Sequence, residues 1–229
     1  MLNQAKKAYQ PISLARAIAP VLPTQKIKEL LSKPTSESVS FLIVRHPFDR
    51  LLSAYRDKME RKNRYYYNLY GKEIVRKYRE RGIARFGHKF YQRNMNNGAP
   101  MVVPGRKGSE PTFWEFVTAI IEDELMDDHW MPISDLCSFC RKGLNYNVII
   151  KYENMAAEER YLLNRLNVED LIIPQWENRY PGQPIDQHIR DAYFNLLNEE
   201  EINDLFQLYE MDFHLFGYEM DMKYLIRIR

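Results

Sequence analysis

At 229 residues the chain is long enough for one large domain, and 45% apolar with 28% charged residues is the balance of an ordinary globular protein, not a disordered or fibrous one. A formal net charge of +2 by itself points to no partner, and the sequence shows no run of 18 apolar residues from which to predict a transmembrane helix. The N-terminus, broken by Pro11, Pro20 and Pro23, lacks the apolar core of a signal peptide, so read alone the sequence predicts a cytosolic protein.

In chain order, the first two dozen residues read as irregular. "TQKIKELLSK" predicts a short helix with Thr24 as its N-cap. "VSFLIV" is a short, continuous, β-branched apolar run, the pattern of a strand covered on both faces in a parallel sheet. Pro47 then stands where its missing N–H costs a helix nothing. Phe48, Leu51, Leu52, Tyr55 and Met59 follow as the stripe of an amphipathic helix. Strand, corner and helix resemble half of a βαβ unit.

Residues 61–93 continue as basic helix in which tyrosines alternate with cations. Between Arg56 and Arg93 thirteen Lys/Arg stand against four Asp/Glu, a local +9 that leaves −7 for the rest of a chain whose total is +2. Such a segment on an acidic body points to an anionic partner. The alternative is a solvated helix with some tyrosines packed inward.

"NMNNGAPMVVPGRKGSEP" reads as a mobile loop, and "TFWEFVTAIIEDEL" as a helix with Phe113, Phe116, Val117, Ile120 and Ile121 on one side. Asn147 to Tyr152 is a second buried-strand candidate. "AAEERYLLNRL" and "IDQHIRDAYFNLL" predict helices separated by the loop "IIPQWENRYPGQPI". Asn198 and Glu201 form a capping box opening a last helix with Ile202, Leu205, Phe206 and Tyr209 on its apolar face. Helix dominates, with a few buried strands, so the fold class is α/β, in a single domain over residues 1–229.

Arg45 ends the first strand, at the carboxyl edge where open α/β sheets bind ligands. Its planar fork suits phosphate or sulfate oxygens. Ser53, about two helical turns into the next element, can offer a hydroxyl to the same anion. The competing reading pairs Arg45 with Asp49 and leaves Ser53 a small helix residue. His129 sits beside Asp127 and Asp128, and a neighbouring carboxylate orients an imidazole and raises its basicity. A hydrogen-bonded structural histidine is its alternative, and His46 supports the corner. Cys137 and Cys140 have the spacing of a redox pair, half a zinc site or a tight disulfide. No second CxxC or His-x3-5-His pair completes a tetrahedral site, so no metal is predicted.

"FLIVRHPFDRLLSAYRDK" resembles the segment that binds the 3′-phosphate of 3′-phosphoadenosine 5′-phosphosulfate (PAPS) in sulfotransferases. "DDHWMPISDLCSFC", "YNVIIKYENM" and "LYEMDFHLFGYE" follow in the order found in Golgi carbohydrate sulfotransferases, most like the chondroitin and dermatan 4-sulfotransferase group. The resemblance runs from about residue 40 to 220. It implies a P-loop-like sulfotransferase fold, a small parallel sheet flanked by helices, with PAPS as co-substrate and no metal. By the same resemblance Arg45 and Ser53 grip the 3′-phosphate, and His129 lies on the acceptor side as base or binding residue. Cys137 and Cys140 match a pair oxidised in the Golgi lumen, the competing reading being two reduced thiols.

The implied acceptor is an anionic glycan, a chondroitin- or dermatan-like glycosaminoglycan. Tyr65, Tyr66, Tyr67, Tyr70 and Tyr78 are candidates to stack on its sugar faces. A nucleic-acid partner for the basic, tyrosine-rich segment would leave Arg45 and the ordered motifs unexplained, so none is expected. The implied location is the lumenal side of the Golgi membrane, through an N-terminal anchor not seen in this sequence. The family's earlier Pro-Lys loop, which holds the 5′-phosphosulfate, is not found either, since "QAKKAY" has lysines but no preceding strand. The chain is therefore expected to be a family member lacking its front. The alternative to a transferase is an inactive fragment that binds only nucleotide or anionic glycan.

Overall fold

The computed structural model describes residues 22–32, 39–61, 63–92, 109–140, 144–172 and 184–221. The irregular start, the "QAKKAY" lysines, the loop over 93–108 and most of the loop over 172–185 lie outside them. By its internal contacts the chain divides into two units, 1–42 with 140–149 and 43–139 with 150–229.

In the first unit, helix α1 (Thr24–Ser32) forms where the spacing predicts, but with Thr24 as its first residue, not its N-cap, since the preceding Pro23 carbonyl accepts the Ile27 amide at 3.1 Å, and it buries none of its side chains. Nearby, the Ser40 amide donates to Asn147 Oδ1 at 2.9 Å, and the Asn147 amide returns a bond to the Ser40 carbonyl at 2.8 Å. The Asn147 side chain thus takes a backbone donor just before the strands begin, beside an ordinary backbone bond.

Strands β1 (Phe41–Val44) and β2 (Val148–Lys151) pair as a two-stranded parallel sheet, and the unit boundary falls within both. The expectation of a strand covered on both faces is corrected here. Leu42 and Val44 are buried, whereas Phe41 and Ile43 are each 45% exposed. An unbroken apolar run conceals which face is inward, because the alternation that would mark it is missing.

The second unit holds the main core. Helix α2 (Pro47–Tyr55) opens with Pro47 in its first turn and runs into a π-helical turn, Arg56–Glu60, that keeps Met59 buried at the end of the apolar stripe. Next come α3 (Arg64–Tyr66), a second π-helical turn (Tyr67–Gly71), α4 (Lys72–Phe86) and α5 (His88–Gln92). Helix α6 (Phe113–Asp123) starts at a capping box in which Thr112 Oγ1 accepts from the Glu115 amide at 3.1 Å and Glu115 Oε2 accepts from the Thr112 amide at 2.7 Å. It is buried far beyond the predicted stripe, through Phe113 to Ile120 without a break.

A short helix α7 (Ile133–Leu136), helix α8 (Met155–Leu166), helix α9 (Gln187–Phe194) and the long α10 (Glu199–Phe216) complete the unit. The Asn198–Glu201 capping box opens α10 as read from the sequence. Gly217 ends it at φ 60°, a left-handed position that glycine adopts without cost. Aromatic rings make much of the core. Phe48 of α2 stacks on Phe194 of α9 with centroids 5.0 Å apart and meets Phe213 of α10 edge-on at 5.3 Å.

Candidate functional site

The site is organised on α2 and the corner before it. Arg45 follows the last residue of β1, and its guanidinium lies over the Tyr152 ring, 4.7 Å from the centroid. Tyr152 itself follows the end of β2, so two strand ends meet through this cation–π contact. The alternative pairing of Arg45 with Asp49 does not form. Asp49 is buried, and its two oxygens each accept a 2.7 Å bond from Arg190 of α9. Among the described residues no carboxylate forms an ion pair with Arg45.

The backbone at the corner is held from two sides. Glu153 Oε1 accepts the His46 amide at 2.7 Å, and its other oxygen accepts the Tyr218 hydroxyl at 2.9 Å. His46 Nε2 lies 3.3 Å from the Glu219 carbonyl, and its ring packs edge-on against Phe48, Phe213 and Tyr218. Burial lowers the His46 pKa against the pull of Asp49, favouring the neutral ring. His46 is thus the support for the corner that the sequence suggested. Ser53 is partly exposed on α2, about 9 Å along the axis from Pro47 by helix rise.

Arg50 is a site residue that sequence reasoning missed. It stands three positions before Ser53, hence on the same side of α2. Its guanidinium donates to the carbonyl of Asp128 at 2.7 Å and to that of Met131. The helix that carries Ser53 therefore holds the turn that carries His129. Burial lowers the Arg50 pKa from its usual high value, while Tyr209 and Asp212 oppose the shift.

The rest of that turn is fixed from α10. Tyr209 donates its hydroxyl to the Trp130 carbonyl at 2.5 Å. The buried Asp212 carboxylate accepts the amides of Ile133 at 2.6 Å and Ser134 at 2.8 Å, capping the first turn of α7. Trp130, fully buried, donates its indole N–H to the Leu125 carbonyl at 2.8 Å. His129 by contrast keeps 43% of its side chain exposed. Its Nδ1 lies 2.5 Å from Asp127 Oδ1 and 3.2 Å from the Tyr66 hydroxyl. The Tyr70 hydroxyl donates to Asp127 Oδ2 at 3.0 Å. A partly exposed imidazole backed by a carboxylate can accept a proton from a bound hydroxyl.

The basic segment is less free than its composition predicts. Among the described residues Arg56, Lys58, Arg76, Lys77, Arg79, Arg81 and Arg85 of this segment form ion pairs within the chain. Arg81 makes two 2.8 Å bonds to Glu122, Lys77 meets Asp123, and Arg79 reaches the fully buried Glu115 at 2.6 Å, so α4 is laced to α6. Of the five tyrosines, Tyr78 is buried and bonded to Asp123, while Tyr65 is 68% exposed and Tyr66 and Tyr70 face His129 and Asp127. Among the described residues no disulfide joins Cys137 to Cys140. Burial, with Asp212 nearby, raises the Cys137 pKa against the opposing charge of Arg50.

A family model described as "Sulfotransferase family" matches residues 4–219. Carbohydrate sulfotransferase 14 of Danio rerio is 30% identical over 202 residues, 87% of this chain and 48% of that protein. Carbohydrate sulfotransferase 8 of Homo sapiens is 30% identical over 188 residues, 80% of this chain and 40% of that protein. Carbohydrate sulfotransferase 14 of Homo sapiens is 32% identical over 186 residues, 79% of this chain and 42% of that protein. The chain thus spans less than half the length of each of these relatives. No solved structure matches it.

Proposed function

We propose that this chain, which belongs to the sulfotransferase family, transfers a sulfuryl group from PAPS to a hydroxyl of a chondroitin- or dermatan-like glycan. The observation that carries the reading is the state of Arg45. It is a guanidinium at a strand end, steadied by Tyr152 and with no ion-paired carboxylate among the described residues. Asp49, which would have neutralised it, is bound to Arg190 instead.

In this reading Arg45 and Ser53 hold the 3′-phosphate of the donor, Arg45 through its fork and Ser53 through its hydroxyl. His129 accepts the proton of the glycan hydroxyl as that oxygen bonds to sulfur. The sulfur–oxygen bond to the 5′-phosphate breaks, its electron pair leaves on the phosphate oxygen, and adenosine 3′,5′-bisphosphate departs. Tyr65, Tyr66 and Tyr70 supply the aromatic and hydroxyl surface for a sugar ring beside His129. The chemistry calls for no metal. In this reading the activity belongs in the Golgi lumen and is carried by one sulfotransferase domain.

The test has two stages on the purified chain. Retention on immobilised adenosine 3′,5′-bisphosphate, followed by radiolabel transfer from PAPS to desulfated chondroitin, is the expected result. Retention without transfer would reject the transferase reading for this chain and leave a nucleotide-binding one. No retention would reject the roles given to Arg45 and Ser53.

A further inference from the structure

We propose that Asp127 is the positioning residue of this site: it holds His129 as the Nδ1–H tautomer and so leaves Nε2 as the nitrogen that accepts a proton. The catalytic use of that nitrogen rests on the transfer reaction above; the tautomer does not.

The argument starts from what a carboxylate can do. Asp127 Oδ1 lies 3.0 Å from the His129 backbone nitrogen and 2.5 Å from His129 Nδ1. An ionised carboxylate accepts and never donates, so the ring nitrogen facing it must carry the proton. The backbone bond fixes the carboxylate against the main chain of the residue it orients. Turning the ring over would put a carbon where Nδ1 now stands and lose the contact. Tyr70 closes the arrangement from behind, donating to Oδ2 at 3.0 Å, so both oxygens are held.

The protonation states agree. Burial works to raise the Asp127 pKa, but the bonds from the His129 ring, its amide and Tyr70 outweigh it and bring the carboxyl below its usual range. Tyr70 is pushed up to about 12 by burial and by its bond to Asp127, so it remains a donor at neutral pH.

This assignment gives Tyr66 a defined part as well. Its hydroxyl is 3.2 Å from Nδ1, whose single proton is already directed at Asp127. The Tyr66 oxygen can only share that proton as an acceptor, and its own hydroxyl hydrogen is left to point at a ligand. Burial and the Asp127 charge raise the Tyr66 pKa, which keeps that hydrogen in place. Asp128, the other acidic neighbour in sequence, enters the turn through its carbonyl, which Arg50 holds.

The experiment is nitrogen NMR on the isotopically labelled 229-residue chain, followed up the pH scale until the His129 signals stop moving, with His129→Gln identifying them among five histidines. The expected spectrum has the protonated, pyrrole-like resonance on Nδ1 and the pyridine-like one on Nε2. Asp127→Ala removes the acceptor that faces Nδ1, so the tautomer should move toward Nε2–H, with kcat for transfer falling by roughly 100-fold or more and the acceptor KM little changed. An Nε2–H ring in the wild type, or an unchanged tautomer in a folded Asp127→Ala, would overturn the proposal. The wild-type spectrum is decisive without any variant, so misfolding of Asp127→Ala cannot shelter it. An Nδ1–H ring in a chain that transfers no sulfate upholds Asp127 and rejects the reaction. Transfer by a chain with an Nε2–H ring does the reverse.

Discussion

At the scale of single residues, charge placed out of water decides what each group can do. Glu60 is buried at the end of the first π-helical turn, its Oε1 accepting the Tyr193 hydroxyl at 2.5 Å and Arg56 standing 3.8 Å away. Burial raises its carboxyl from 4.5 to about 7, and the tyrosine bond and the arginine charges offset only part of that. An acid whose folded-state pKa is raised holds its proton more tightly folded than unfolded. Its contribution to stability therefore falls as pH rises from about 4.5 to about 7 and is level above that. The loss should be on the order of 3 kcal/mol. Glu60→Gln should flatten it, giving urea midpoints at about pH 5 and about pH 8 that lie closer together than those of the wild type. A variant with the same pH dependence as the wild type would remove Glu60 as the cause. Arg45, Ser53 and His129 are candidates that the sequence offers because each sits in a local motif. Their supports were not legible there. Asp49 finds Arg190 across 141 positions and His46 finds Glu153 across 107, and no local pattern encodes such pairings.

At the scale of elements, α2 is the member that joins the two halves of the site. Its start lies beside Arg45, its exposed side carries Ser53, and Arg50 on the same side holds the His129 turn. Arg50→Lys keeps the charge and loses the fork. Hydrogen exchange at the Trp130 and Met131 amides, both bonded to the Asp127 carbonyl, should then quicken while α10 is unaffected. Unchanged exchange in that turn would show that Arg50 does not hold it. Asp212→Ala strips the cap from α7 and leaves two buried amides unpaired, which should cost roughly 2–4 kcal/mol in denaturant unfolding. A loss below about 1 kcal/mol would mean that water replaces the carboxylate. The start of α10 was the most readable helix end, since the capping box of Asn198 and Glu201 rests on neighbouring residues. Burial was harder to read. The apolar run of β1 predicted two covered faces where one is exposed, and the stripe of α6 understated a helix buried nearly all round.

At the scale of the molecule, the basic segment shows how composition and surface differ. A local excess of nine positive charges predicted an anion-attracting face, yet Lys77, Arg79, Arg81 and Arg85 pair with carboxylates outside the segment, the first three joining α4 to α6. The sharper anion-binding claim is the separate one made for the strand-end Arg45, which lies outside that segment. Calorimetric titration of the chain with adenosine 3′,5′-bisphosphate and with adenosine 5′-monophosphate, for the wild type and for Arg45→Ala, tests that claim most directly. The wild type should prefer the bisphosphate. Arg45→Ala should lose roughly 1.5–3 kcal/mol of that preference, about 10- to 150-fold, with its thermal midpoint nearly unchanged. Equal affinity of the wild type for both nucleotides, or an Arg45→Ala chain that keeps the preference or loses its fold, would contradict the account.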